Sequence, residues 1–313
     1  MARFGNNNEF QRKYPSEVNL LTIITLSRGK SGLSRCITRY LVAMATADLS
    51  VIVCKVTLHQ IAAVYWWDSF LFYTPLCKLI LFLSTATVDC SVWFTVAFTF
   101  DRCVAISTQK LARKYCTERT ALVVLVTLSA IFCFKNIPWP FAYVSYFIRK
   151  NISWGCLILQ IFYALPEWVA FSWTDQLLTP VIPFCLIVLL NALTVRRILV
   201  SNRVRKSLRE SSSEDPEMVN RRRSIILLLA ISGTFILLWA TSVAYFIYYR
   251  AQDSFLIRGY IRRYTKFERS ATMLQMLSCC SNTFIYTATQ RQFRKDLFYM
   301  LKYPFTRIIS SVK

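Results

Sequence analysis

The pattern of apolar and polar positions along the chain has neither the two-residue alternation of exposed strands nor the one-sided stripe of surface helices. It is a series of long apolar runs. Those over residues 37–64, 77–103, 119–142, 176–200, 223–249 and 269–289 carry few charges, and each reaches the ~20 residues with which a helix crosses a hydrocarbon layer. A shorter run, 18–26, spans only ~14 Å as a helix, and the preceding "GNNNEFQRKYPSE" is polar. Residues 1–17 contain no apolar core of the kind a secretory signal requires. Beyond the last run, residues 290–303 place Phe293, Leu297 and Phe298 among basic residues at helical spacing, as in a helix lying in the membrane interface. The expected organisation is a polar segment over 1–17, a transmembrane bundle over 18–289, and an amphipathic helix with a tail over 290–313.

Composition supports this reading. Of 313 residues, 55% are hydrophobic and 17% charged, against ~25% charged in soluble domains. The net charge of +22 does not indicate nucleic acid, because the basic residues lie between the apolar runs. One set of alternate loops (28–39, 102–119, 196–223 and the tail) holds 24 of them, the other side 12. The richer side, with the C-terminus, is expected in the cytoplasm. The sequon "NIS" then places Asn151 outside as a candidate glycosylation site. Cys77 and Cys156 also fall outside, where a disulfide is chemically permitted. The eleven cysteines have no metal-ligand spacing. Ser211, Ser212 and Ser213 read as part of a solvated linker.

Charges inside the runs carry the chemistry, since an ionisable group in a membrane needs a partner. Asp48 lies near mid-span, with Ser91 and Asn282 at similar depth. At 100° per residue Ser84, Ser91 and Arg102 fall within about 20° of one line, and Asp89 lies about 140° away. That offset predicts an interhelical ion pair between Asp89 and Lys135. Asp48, Lys55 and His59, at i, i+7 and i+11, are expected on one stripe lining the outer half of the bundle. His59 is the only histidine, and no metal site is supported.

Asn19, Asp48, Cys77, Asp101–Arg102, Cys156, Pro183, Phe235, Trp239, Asn282 and Tyr286, in this order and spacing, resemble the markers of the rhodopsin-like (class A) G-protein-coupled receptors. The segments "NLLTIITLSRGKSGLSRCITRYLVAMATADL", "DCSVWFTVAFTFDRCVAI" and "SIILLLAISGTFILLW" resemble, more narrowly, the orphan branch around probable G-protein coupled receptor 139. The resemblance implies an all-α seven-helix bundle whose first helix is truncated at its outer half. It implies a multi-pass plasma-membrane receptor, not an enzyme, with a heterotrimeric G protein, a small extracellular ligand and lipid as partners. By the same resemblance Asp101, Arg102, Pro183, Phe235, Trp239, Asn282 and Tyr286 form the coupling and activation switch, and Cys77 pairs with Cys156. Asp48, Ser91 and Asn282 would bind a sodium ion, with Ser278 and Ser281 adding oxygens; a proton-sharing polar cluster is the alternative. Candidate ligand-pocket walls are Lys55, His59, Ser84, Val88, Trp239, Tyr245, Glu268 and Gln275. Ser84 stands where amine receptors carry Asp, which disfavours a monoamine, and relatives of the narrower branch respond to aromatic amino acids. Thr241 and Thr283 stand where helices six and seven usually carry Pro, Asn191 where helix five carries Tyr, and Cys103 replaces the usual Tyr. A Thr hydroxyl bonded to the carbonyl four residues back is expected to soften the lost bends. Competing readings are a non-signalling or decoy seven-helix receptor and a polytopic transporter. A transporter would show internal repeats, and none is seen.

Overall fold

The computed structural model describes residues 15–28, 33–65, 69–107, 109–149, 151–159, 165–207, 216–253 and 266–299. Helix α1 is Pro15–Ser27, α2 begins as Arg35–Val51, α3 is Thr74–Ser107 and α4 is Glu118–Asn136. Helix α5 starts at Pro166–Gln176 and resumes over Ile182–Ser207; α6 is Pro216–Asp253 and α7 is Lys266–Thr289. A short helix, α8, covers residues 291–299. Five of these elements are long and apolar enough to cross a membrane: Arg35–Ile61, Thr74–Ser107, Glu118–Ala142, Pro166–Val200 and Ser224–Tyr248. The apolar run 269–289 falls within α7, which Ser278, Ser281, Asn282 and Thr283 make less apolar than these five. The sequence reading started helix five at 176, ten residues late, because Glu167 and Asp175 interrupt the apolar run.

Local chemistry sets the helix ends. Ser34 caps α2, accepting from the Ile37 amide at 3.4 Å, and Thr117 caps α4, accepting from the Thr120 amide at 3.2 Å. Each satisfies an amide that the first turn leaves without a partner. Along α3 the hydroxyls of Ser84, Thr95 and Thr99 donate to carbonyls four residues back, so these groups enter an apolar layer already satisfied.

Helix α3 is the axis of the bundle. It packs against α2, α4, α5 and α6, while α7 closes the ring against α6, α1 and α2. Buried Leu41, Met44, Phe98, Leu227, Leu228, Ile231 and Tyr286 form the main core. A second cluster joins Val92, Val96 and Ile187 to Phe235 and Trp239. At the far end Arg39 of α2 donates twice to Glu118 of α4, at 2.9 and 2.8 Å.

Two helices depart from α geometry. Residues Ile52–Ile61 of α2 are wound as a π-helix before Ala62–Tyr65. Each residue there advances by less than the α-helical angle, so Lys55 and His59 are turned from the line that 100° per residue gives them; Asp48 is buried, Lys55 partly exposed and His59 exposed. Helix α5 is broken at Thr179, whose φ of −152° and ψ of 102° are not helical. The Trp93 indole of α3 donates to the Leu178 carbonyl at 3.1 Å, satisfying an acceptor at the break.

The loop between α4 and α5 holds short strands that the sequence reading did not anticipate. β1 (Tyr143–Val144) pairs with β4 (Leu157–Ile158), and β2 (Phe147–Arg149) with β3 (Ile152–Trp154), both antiparallel. Asn151, exposed and at φ 62°, stands in the β2–β3 turn. A disulfide joins Cys77 at the start of α3 to Cys156. Beside it Gly155 adopts φ +76°, and a Cβ there would lie 2.7 Å from that of Tyr146. The Gly155 amide donates to the Phe72 carbonyl at 2.7 Å, and the Thr74 hydroxyl donates to the Gly155 carbonyl at 3.0 Å.

Candidate functional site

Asp48, 1% exposed, ties three helices together. Its Oδ1 accepts from the Ser91 hydroxyl at 2.5 Å, and its Oδ2 from the Asn282 amide at 2.7 Å. A small cavity borders these groups together with Thr95, Ser278 and Ser281, and Ile231 and Phe235 close its apolar side. One carboxylate among hydroxyl and amide oxygens matches the charge of a monovalent cation better than that of a divalent one, which takes several carboxylates.

The floor above this cavity is connected to it. Trp239 stacks on Phe235, with ring centroids 5.1 Å apart. Its indole donates to the Ser278 hydroxyl at 3.0 Å, which in turn donates to the Gln275 carbonyl at 2.8 Å. A displacement of the Trp239 ring therefore pulls on a residue that lines the Asp48 cavity.

On the other side, α7 is stitched to α1. Asn19 donates to the Cys279 carbonyl at 3.0 Å, the Thr22 hydroxyl lies 2.7 Å from that of Thr283, and Thr283 donates to Asn19 Oδ1 at 3.3 Å. The expected back-bond from Thr283 to its own helix is thus not made. The hydroxyl goes between helices because Asn19, fully buried, offers it an acceptor. Ser232 of α6 lies 2.9 Å from the Asn191 side-chain oxygen on α5, so the residue standing where Tyr is usual makes an interhelical contact instead.

At the end of α3 remote from the disulfide, Asp101 and Arg102 are both buried. Arg102 donates from Nε to Asp101 Oδ2 at 3.0 Å, and from Nη2 to the same oxygen. The Cys36 thiol contacts Asp101 Oδ1 at 3.5 Å, and the Cys116 thiol contacts the Asp101 carbonyl at 3.4 Å. Burial, followed by the Asp101 charge, pushes the Cys116 thiol up to about 11, so it stays protonated as a donor. Thiols are weak donors, which leaves Arg102 as the strong partner of Asp101. No composition or periodicity signal marked these two cysteines. Tyr286 of α7 is fully buried, and its hydroxyl has no hydrogen-bond partner among the described residues; it lies edge-on to Phe293 of α8 at 5.9 Å.

The chain matches the family model described as 7 transmembrane receptor (rhodopsin family) over residues 18–286. It belongs to that family. A comparison with curated proteins returned no match. The matched stretch contains all of the Asp48, Trp239 and Asp101–Arg102 geometry and ends at Tyr286, before α8.

In this receptor the outer-half residues are less unified than the inner ones. Val88 packs against both the Trp239 cluster and the Val51–Cys279 cluster. Ser84 is buried but bonds the Ile80 carbonyl of its own helix at 2.7 Å. Tyr245 meets Phe267 edge-on at 5.6 Å. The side chain of Glu268 lies outside the described residues, as do Ser211, Ser212 and Ser213. The ion pair expected between Asp89 and Lys135 is present at 2.6 Å. It has a member the sequence reading missed, Asp175 of α5, 2.5 Å from the same ammonium. The late start assigned to helix five had left Asp175 in a loop.

Proposed function

We propose that this receptor binds a small extracellular ligand in the disulfide-side half of the bundle and activates a heterotrimeric G protein at the Arg102 end. The observation that carries the reading is Arg102 itself, a buried guanidinium whose acidic partner is the neighbouring residue of the same helix. Among the described residues Arg102 pairs with no acid of α6, and Arg221, Arg222 and Arg223 stand at the start of that helix's apolar run. A ligand needs only to favour the arrangement in which α6 stands away from α3. Tyr286 would then move its unpartnered hydroxyl inward, and Arg102 would exchange Asp101 for the G protein. An unpaired buried hydroxyl costs about 1–3 kcal/mol, a bias toward any state that pairs it.

Asp48, Ser91 and Asn282 hold a sodium ion that favours the resting arrangement. The ligand class that fits is a zwitterion with an aromatic group: Lys55 for a carboxylate, an acid for an ammonium, and Trp239 as floor. The narrower likeness to the orphan branch rests on the quoted segments of α1–α2, α3 and α6. The basic loops and tail, with the C-terminus, lie in the cytoplasm, Asn151 carries a glycan outside, and the plasma membrane is the site of action. The test is a second-messenger screen of cells expressing the chain, amino acids and aromatic amines included, with Arg102→Ala in parallel. A concentration-dependent response lost in Arg102→Ala is expected. A response that survives that substitution contradicts the assignment.

A further inference from the structure

Among the described residues the densest cluster of charges within the bundle lies where α3, α4 and α5 meet, not at Asp48 or Arg102. Lys135 Nζ is 2.6 Å from Asp89 Oδ2 and 2.5 Å from Asp175 Oδ1. Asn136 donates to the same Asp89 oxygen at 2.6 Å and to the Phe132 carbonyl at 2.8 Å. Two acceptors thereby fix the amide nitrogen, and its oxygen is left without a partner although the residue is fully buried. Thr179, one turn along α5, likewise has a buried hydroxyl without a partner. Directly touching groups number two carboxylates and one ammonium, so the cluster carries a surplus negative charge. Lys55 lies within electrostatic reach of Asp89 and Asp175 but makes no ion pair with them among the described residues. Among the directly touching groups one carboxylate is in excess, and a partly desolvated carboxylate favours a further cation.

Exposure identifies the carboxylate that is open to a ligand. The Asp175 side chain is 22% exposed and that of Asp89 5%. Asp175 also has aromatic neighbours. Phe171, four residues earlier and on the same helical face, meets Trp139 at 5.4 Å and Trp168 at 6.0 Å, and the Trp139 indole reaches Asp175.

We propose that Asp175 anchors the primary ammonium of a small ligand bearing an aromatic ring, the ammonium joining Lys135 on the surplus carboxylate and the ring settling against Phe171 and Trp139. The Asn136 side-chain oxygen supplies a second acceptor. This proposal rests on reading the disulfide-side half as the ligand side, and moves the ammonium anchor from α3, where Ser84 stands, to α5. Because α4 and α5 share Lys135, an ammonium that takes up part of Asp175's charge loosens the hold of α4 on α5.

The test is thermal unfolding of the purified full chain with millimolar 2-phenylethylamine or its uncharged analogue 2-phenylethanol. At tenfold excess over Kd the amine is expected to raise the wild-type melting temperature by about 3 °C, and the alcohol to leave it unchanged. Asp175→Asn is expected to melt no lower than wild type and to lose the amine shift; Asp89→Asn, less stable, is expected to keep it. Equal shifts with amine and alcohol, no amine shift in wild type, a shift retained in Asp175→Asn, or failure of Asp175→Asn to fold each overturn the proposal. G-protein nucleotide exchange is measured on the same preparations. Exchange above Arg102→Ala without an amine shift overturns this site alone, whereas a shift without exchange overturns the receptor reading alone.

Discussion

Replacing Asp48 by Asn and by Ala separates its charge from its hydrogen bonds. The carboxylate is buried, with one hydroxyl and one amide donor, so without a cation its charge is incompletely compensated. Asn removes the charge and keeps the volume and one acceptor oxygen. In sodium-free choline buffer Asp48→Asn is therefore expected to melt above wild type. Ala also removes the acceptor. Ser91 can turn to a carbonyl of its own helix, but the Asn282 amide is left buried and unpaired, at about 1–3 kcal/mol. That places Asp48→Ala about 2–6 °C below Asp48→Asn, at ~2 °C per kcal/mol for a chain of this size. Sodium at tenfold excess over its Kd stabilises wild type by about 1.4 kcal/mol, or ~3 °C, and neither variant. The assay is thermal unfolding of purified protein in sodium against choline. Equal sodium shifts in wild type and Asp48→Asn, or coincident melts of the two variants, would refute the reasoning.

Three further outcomes follow from the geometry. Lys135→Ala strands two carboxylates and is expected to lower stability by about 3–5 kcal/mol, read as lost surface receptor; adding Asp89→Asn and Asp175→Asn to it should recover surface level relative to Lys135→Ala, and no recovery counts against the pairing. Cys77→Ser opens a loop closed at a separation of 79 residues, worth ~4.5 kcal/mol in the chain-entropy account; a melt equal to wild type speaks against a structural role. Asn151→Gln should raise gel mobility to that of enzymatically deglycosylated wild type, and unchanged mobility contradicts the outside placement of that loop.

Much of this was legible in the sequence because membrane helices are written in long apolar runs and their buried charges are rare. Asp48, Ser91 and Asn282 could be brought together by depth alone, and Asp89 and Lys135 by helical angle. The failures come from one departure from regular helix and from partners that only the fold brings together. The Asp48–Lys55–His59 stripe assumed 100° per residue through a stretch wound as a π-helix. Asp175 was missed because charges at the start of α5 look like loop, yet Asp175 is paired against Lys135 of α4. Thr283 was assigned a bond within its own helix, and only the fold shows that Asn19 stands opposite it. The thiols on Asp101 come from residues far apart in sequence, and no spacing rule joins Cys36 to Cys116.

The central claim is that Arg102 is the coupling residue and that Asp101 alone restrains it. Guanine-nucleotide exchange on a purified heterotrimeric G protein, measured without ligand for wild type, Asp101→Asn and Arg102→Ala at matched receptor levels, tests it most directly. The expected order is Arg102→Ala lowest, wild type measurably above it, and Asp101→Asn highest. Equal exchange by all three would contradict the account.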